Sequence, residues 1–87
     1  MRIILSPKAE KELKKLSKIN QIAVVKKINQ LKQKTLIINQ EKLTGYQNIY
    51  RIRVGGFRIV YRKTLKQIYV ILIGHRKDIY QLLKRLF

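Results

Sequence analysis

Tyr50-Arg51-Ile52-Arg53-Val54-Gly55-Gly56-Phe57-Arg58-Ile59-Val60-Tyr61 is the stretch on which the fold turns. Apolar and basic residues alternate on both sides of Gly55-Gly56, a dipeptide that tolerates positive φ, so the segment reads as two strands joined by a two-residue turn. That loop length puts Val54 opposite Phe57, Arg53 opposite Arg58, Ile52 opposite Ile59, Arg51 opposite Val60 and Tyr50 opposite Tyr61. Parity then sorts the side chains. One face holds Tyr50, Ile52, Val54, Phe57, Ile59 and Tyr61, which can pack on helices, and the other holds Arg51, Arg53, Arg58 and Arg62. Like charges directly opposite each other destabilise a strand pair, so Arg53 facing Arg58 asks for an anion. Guanidinium forks match phosphate in a bidentate manner, which makes this face a phosphate-binding surface by geometry as well as by charge. The plainer reading is a sheet face kept solvated by its charges.

Upstream of the hairpin, Arg2 to Leu5 is short and β-branched and reads as a strand. Ser6-Pro7 supplies an N-cap and a proline at the first helical position, and Glu10 complements the helix dipole. Ala9, Leu13 and Leu16 recur at helical spacing, so a first helix is expected from about Pro7 to Lys18. Asn20 is the expected cap of a second helix whose inner stripe is Val24, Ile28 and Leu31, flanked by Ile22 and Val25. Two helices joined this tightly make a helical hairpin. Thr35 to Gln47 is mixed in character and reads as a connector packed on the core.

Downstream, a second turn near Lys63 to Gln67 leads into Ile68 to Ile73, a continuous apolar run expected to be a central strand covered on both faces. Asp78 can cap a short C-terminal helix carrying Ile79, Leu82, Leu83 and Leu86. The expected architecture is α+β: a small antiparallel β-sheet, an N-terminal helical hairpin packed on one face and a short C-terminal helix, in the order β-α-α-β-β-β-α. Residues 1–87 form a single domain on this reading.

Composition narrows the chemistry. The chain has 87 residues, 21 Lys plus Arg against 4 Asp plus Glu, and a formal net charge of +17. A hydrophobic fraction of 46% argues for a folded domain and against a disordered basic tail. With no cysteine, thiol catalysis and disulfides are excluded, and His75 is the only strong side-chain ligand for a transition metal, so neither a metal nor another cofactor is expected. No apolar run approaches the roughly 18 residues that cross a bilayer, and a soluble cytoplasmic protein is expected. The charge points to a polyanion as partner: RNA, DNA, an acidic membrane face or a strongly acidic protein.

Lysine and arginine are distributed differently. Lysine populates the helices, where it is ordinarily a solvated surface, while six of the seven arginines follow Tyr50. A further candidate group follows the central strand at Gly74-His75-Arg76-Lys77-Asp78-Ile79-Tyr80. Loops at strand ends are where rigid scaffolds place working residues. Arg76 and Lys77 add charge there, and Tyr80 can stack a base or pack beside the terminal helix. Histidine is the side chain that titrates near neutrality, so His75 is the natural proton carrier if there is chemistry.

The two segments Tyr50 to Tyr61 and Gly74 to Tyr80, with Lys42-Leu43-Thr44-Gly45 and the early helical hairpin, resemble the RelE/ParE superfamily of toxins from type II toxin-antitoxin pairs. The resemblance covers nearly the whole chain and implies a small sheet with two N-terminal helices on one face. RelE-like members cleave messenger RNA in the ribosomal A site without metal; ParE-like members share the fold and inhibit DNA gyrase. The basic residues that RelE-like nucleases carry on the first paired strand are matched by Arg51 and Arg53, the arginine of the returning strand by Arg58, and the later arginine and tyrosine by Arg76 and Tyr80. Some members have lysine where Arg51 and Arg53 stand, one of them proposed as general base. Arginine, with a pKa above about 12, serves poorly in that role. No acidic residue occurs between Glu41 and Asp78, which leaves His75 as the substitute.

The resemblance therefore implies a ribosome-dependent endoribonuclease (an mRNA interferase that inhibits translation), and with the residue reading it makes Arg53, Arg58, His75, Arg76 and Tyr80 catalytic candidates and Arg51, Arg62 and Lys77 RNA- or phosphate-binding candidates. The expected partners are a cognate acidic antitoxin and mRNA on the ribosome, with no membrane. A gyrase inhibitor and a non-catalytic RNA- or DNA-binding module are the competing readings.

Overall fold

A computed structural model of the chain describes residues 2–32, 41–42, 48–75, 79, 81 and 84. Its elements are β1 (Arg2–Leu5), α1 (Pro7–Lys15), α2 (Lys18–Gln30), β2 (Glu41–Lys42), β3 (Ile49–Val54), β4 (Phe57–Lys63) and β5 (Gln67–His75). The strands form one sheet in the order β1-β5-β4-β3-β2. The β3–β4 register is the expected one, from Val54↔Phe57 to Tyr50↔Tyr61, continuing to Ile49↔Arg62. Gly55 takes φ +58, the region a side chain enters only with strain.

Two features of the sheet differ from the sequence expectation. The sheet is mixed rather than antiparallel, because β1 pairs parallel to β5, with Ile3 opposite Ile68 and Leu5 opposite Val70. Parallel neighbours need a long crossover, and α1 and α2 begin that connection. The sheet also has an extra edge strand: within the stretch expected to be a connector, Glu41–Lys42 pairs antiparallel with β3, Glu41 opposite Arg51. The rest of that stretch, 33–40 and 43–47, lies outside the described residues, as does most of the expected C-terminal helix.

Ser6 ties β1, α1 and β5 together. Its Oγ accepts from the Ala9 N–H at 3.0 Å as the N-cap of α1 and donates to the Ile71 carbonyl at 2.7 Å, while its own N–H donates to the Val70 carbonyl. Such a cap contributes about 1 kcal/mol. The helical hairpin forms, but its junction lies earlier than expected. Helix α1 ends at Lys15, and Ser17 rather than Asn20 caps α2, accepting from the Asn20 N–H at 3.3 Å. Gln21 Nε2 closes the corner by donating to the carbonyls of Lys14 and Leu16. A serine hydroxyl two residues past the end of α1 captures a free N–H in the first turn of the next helix, so the chain turns there.

The main core lies between the helices and one sheet face: Ala9, Val24, Ile28 and Leu31 against Ile52, Ile59, Tyr61, Ile68, Val70 and Ile73. Tyr61 is fully buried and its ring stacks on Tyr50 with centroids 5.8 Å apart. Burial, helped by the neighbouring Tyr50, raises the Tyr61 phenol well above the usual tyrosine range. It stays protonated near neutrality and is no proton carrier. On the opposite sheet face Ile49, Val60, Ile71 and Leu72 form a second cluster with Ile79. A register shift at Val60/Tyr61 helps place Ile71 and Leu72 together there. Coverage of both faces explains why Ile68 to Ile73 is continuously apolar.

Candidate functional site

The β3–β4 hairpin builds the candidate surface, because strand parity places Arg51, Arg53, Arg58 and Arg62 on the face away from the helices. Across the sheet this face has three rows. At the turn end, Arg53 on β3 stands opposite Arg58 on β4, which stands opposite Gly74 on β5. In the middle row Arg51 precedes Val60 and Leu72, and in the last Ile49 precedes Arg62 and Tyr69. The face is therefore not the uninterrupted arginine surface that alternation alone suggests. Val60, Leu72 and Ile49 belong to the second core cluster and are buried with Ile79. The cationic part concentrates at the Gly55-Gly56 end.

There Arg53 is exposed and its Nε donates to the Gly55 carbonyl at 3.2 Å, which holds the side chain toward the turn. Arg58 is partly buried, with its Nε withdrawn from solvent. Directly opposite Arg58, β5 places Gly74, which contributes no side chain of its own. Opposite strand positions have Cβ atoms about 5 Å apart, a spacing that lets two guanidinium groups share one phosphate. That a glycine faces Arg58 emerges only once the β4–β5 register is known.

His75 ends β5 opposite Phe57, hence on the helix side of the sheet by parity and not beside Arg58. It is exposed, and its ring meets Phe57 edge-on with centroids 5.9 Å apart. Its Nε2 lies 3.8 Å from where a Cβ on Gly56 would sit, so the imidazole is next to the turn toward which Arg53 bends. The structure thus brings Arg53, Arg58 and His75 to one end of the sheet, from two faces. Arg51 and Arg62 stand farther along the arginine face. Arg76, Lys77 and Tyr80 lie outside the described residues. No helix among the described residues is long and apolar enough to cross a membrane.

Comparison with known proteins adds a family and a fold. The sequence model of the ParE toxin of the parDE type II toxin-antitoxin system matches residues 3–80. No curated protein matches by sequence. Among solved structures, the isolated RelE toxin of E. coli is 26% identical, with 99% of this chain and 98% of that chain covered and a TM-score of 0.70. The toxin in the RelB-RelE antitoxin-toxin complex of Methanococcus jannaschii is 27% identical over 91% of this chain and 96% of that chain, at a TM-score of 0.69. The archaeal RelE-RelB complex of Pyrococcus horikoshii OT3 gives a TM-score of 0.75 at 22% identity, covering 86% of this chain and 93% of that one, a likeness of fold.

Proposed function

Because the chain belongs to the ParE toxin family of type II toxin-antitoxin systems and has the RelE fold, we propose that it is a ribosome-dependent, metal-independent mRNA endonuclease. The observation that carries this reading is the Arg53–Arg58 pair at the turn end of the sheet, beside the side-chain-free Gly74. Cleavage proceeds by attack of the 2′-hydroxyl on the adjacent 3′-phosphate: the new O2′–P bond forms as the P–O5′ bond breaks, the 2′-proton is removed and the departing 5′-oxygen is protonated, leaving a 2′,3′-cyclic phosphate and a 5′-hydroxyl. A protein assisting it must hold the in-line geometry, stabilise the charge on the phosphorane-like transition state and manage two protons. Arg53 and Arg58 serve the second task, with Arg51 and Arg62 holding flanking phosphates, and Arg76, Lys77 and Tyr80 completing the site. His75 is the proton carrier. In this reading the scissile phosphate lies over the Gly55-Gly56 turn, the element that both Arg53 and His75 adjoin. The ribosome supplies the enclosure that so open a surface lacks, and a cognate acidic antitoxin restrains the toxin.

The matching family model is that of ParE toxins, and this favours a second reading, inhibition of DNA gyrase, in which the same cations bind without chemistry. The purified protein added to a translation reaction and, separately, to a gyrase supercoiling assay tests both. Blocked translation with cut mRNA and unaffected supercoiling is the expected result. The opposite pattern establishes the gyrase reading, and inactivity in both assays points to a nucleic-acid-binding module.

Replacing His75 with glutamine should lower the cleavage rate by about 10²- to 10⁴-fold and change its pH profile. An unchanged rate and profile would pass the proton steps to Tyr80 or to a ribosomal group.

A further inference from the structure

Helix α2 is apolar on two sides. At about 100° per residue, Val24 and Ile28 form the stripe buried in the main core, continued by Leu31 just beyond the helix. Ile19 and Ile22 point the opposite way, with Val25 alongside, and are 80%, 59% and 42% exposed. The sequence pattern had placed Ile22 and Val25 at the margin of the inner stripe; they flank the outer face instead. With Gln21, Lys26, Asn29 and Gln30 they line an open groove of about 700 Å³. Single exposed apolar residues are ordinary, but three on successive turns form a patch.

Charge selects the occupant. Helix α2 contains Lys18, Lys26 and Lys27 and no carboxylate. A second copy of this chain would bring another +17 charge and the same lysines to the seam. We infer that the outer face of α2 docks an acidic amphipathic helix of the antitoxin, its apolar side chains seated on Ile19, Ile22 and Val25 and its carboxylates against Lys18 and Lys26. The inference rests on reading the chain as the toxin of a pair and adds a second contact surface to it. The main core separates α2 from the arginine face, so this contact holds the antitoxin without occupying the catalytic surface.

The test uses the toxin and the purified product of the small open reading frame beside its gene, titrated by calorimetry. Ile19→Gln combined with Ile22→Gln should weaken binding about 100-fold, roughly tenfold for each isoleucine no longer buried. Growth arrest by the free toxin should stay unchanged. Lys26→Glu, a surface change that does not touch packing, should also weaken binding, with a difference that shrinks as salt rises. Full affinity in both variants overturns the α2 surface while leaving the toxin-antitoxin pair intact. Failure of the wild-type chain to bind the neighbouring product overturns the pairing and the inference together. A wild-type dimer that the double variant dissolves would make the patch a seam between copies, which also overturns it.

Discussion

Arg58→Ala should abolish growth arrest and lower ribosome-dependent mRNA cleavage by about 10²- to 10³-fold, the usual cost of deleting one donor aimed at a developing oxyanion. Arg58 stands on an inner strand, with Arg53 on one side and Gly74 on the other. Arg58→Lys should recover only part of the activity, because an ammonium keeps the charge and loses the planar fork that holds two phosphate oxygens. Stability should change by no more than about 1 kcal/mol in either variant, since the residue lies outside both core clusters. Thermal denaturation and a cleavage assay on the same preparations separate the two effects. An Arg58→Ala variant that unfolds, or that cuts at the wild-type rate, removes this arginine from the mechanism.

Leu72→Ala and Ile73→Ala should each destabilise the domain by about 2–5 kcal/mol. That is a large share of the roughly 5–15 kcal/mol that holds a domain together, so each should lower Tm by more than about 10 °C. The two residues are adjacent on β5 and face opposite ways. Ile73 is fully buried in the main core under the helices; Leu72 is fully buried in the second cluster with Ile49, Val60 and Ile79. A one-sided sheet would make only the Ile73 substitution costly. A Leu72→Ala variant within about 1 kcal/mol of wild type in urea denaturation would show that the second face is not a true core.

Much of this was legible from the chain itself. The alternation around Gly55-Gly56 determined the hairpin, its register and the Arg53–Arg58 pair, because a two-residue turn leaves one way to match the strands and side chains alternate with period two. Ser6-Pro7 marked the start of α1 for a similarly local reason, a cap that acts within three residues. Long-range pairing decided the rest. The parallel docking of β1 on β5, the added strand β2 and the glycine opposite Arg58 all depend on which strands become neighbours after the chain has crossed the sheet. His75 shows the limit most clearly. Its place on the helix side of the sheet follows only from its pairing with Phe57. For α2 the spacing already marks Val24, Ile28 and Leu31 as the inner stripe, whereas the exposure of Ile22 and Val25 beside it is decided by packing. Local sequence specifies turns, caps and parity through contacts a few residues apart, whereas the choice of neighbour and of buried face rests on burial summed over the whole fold.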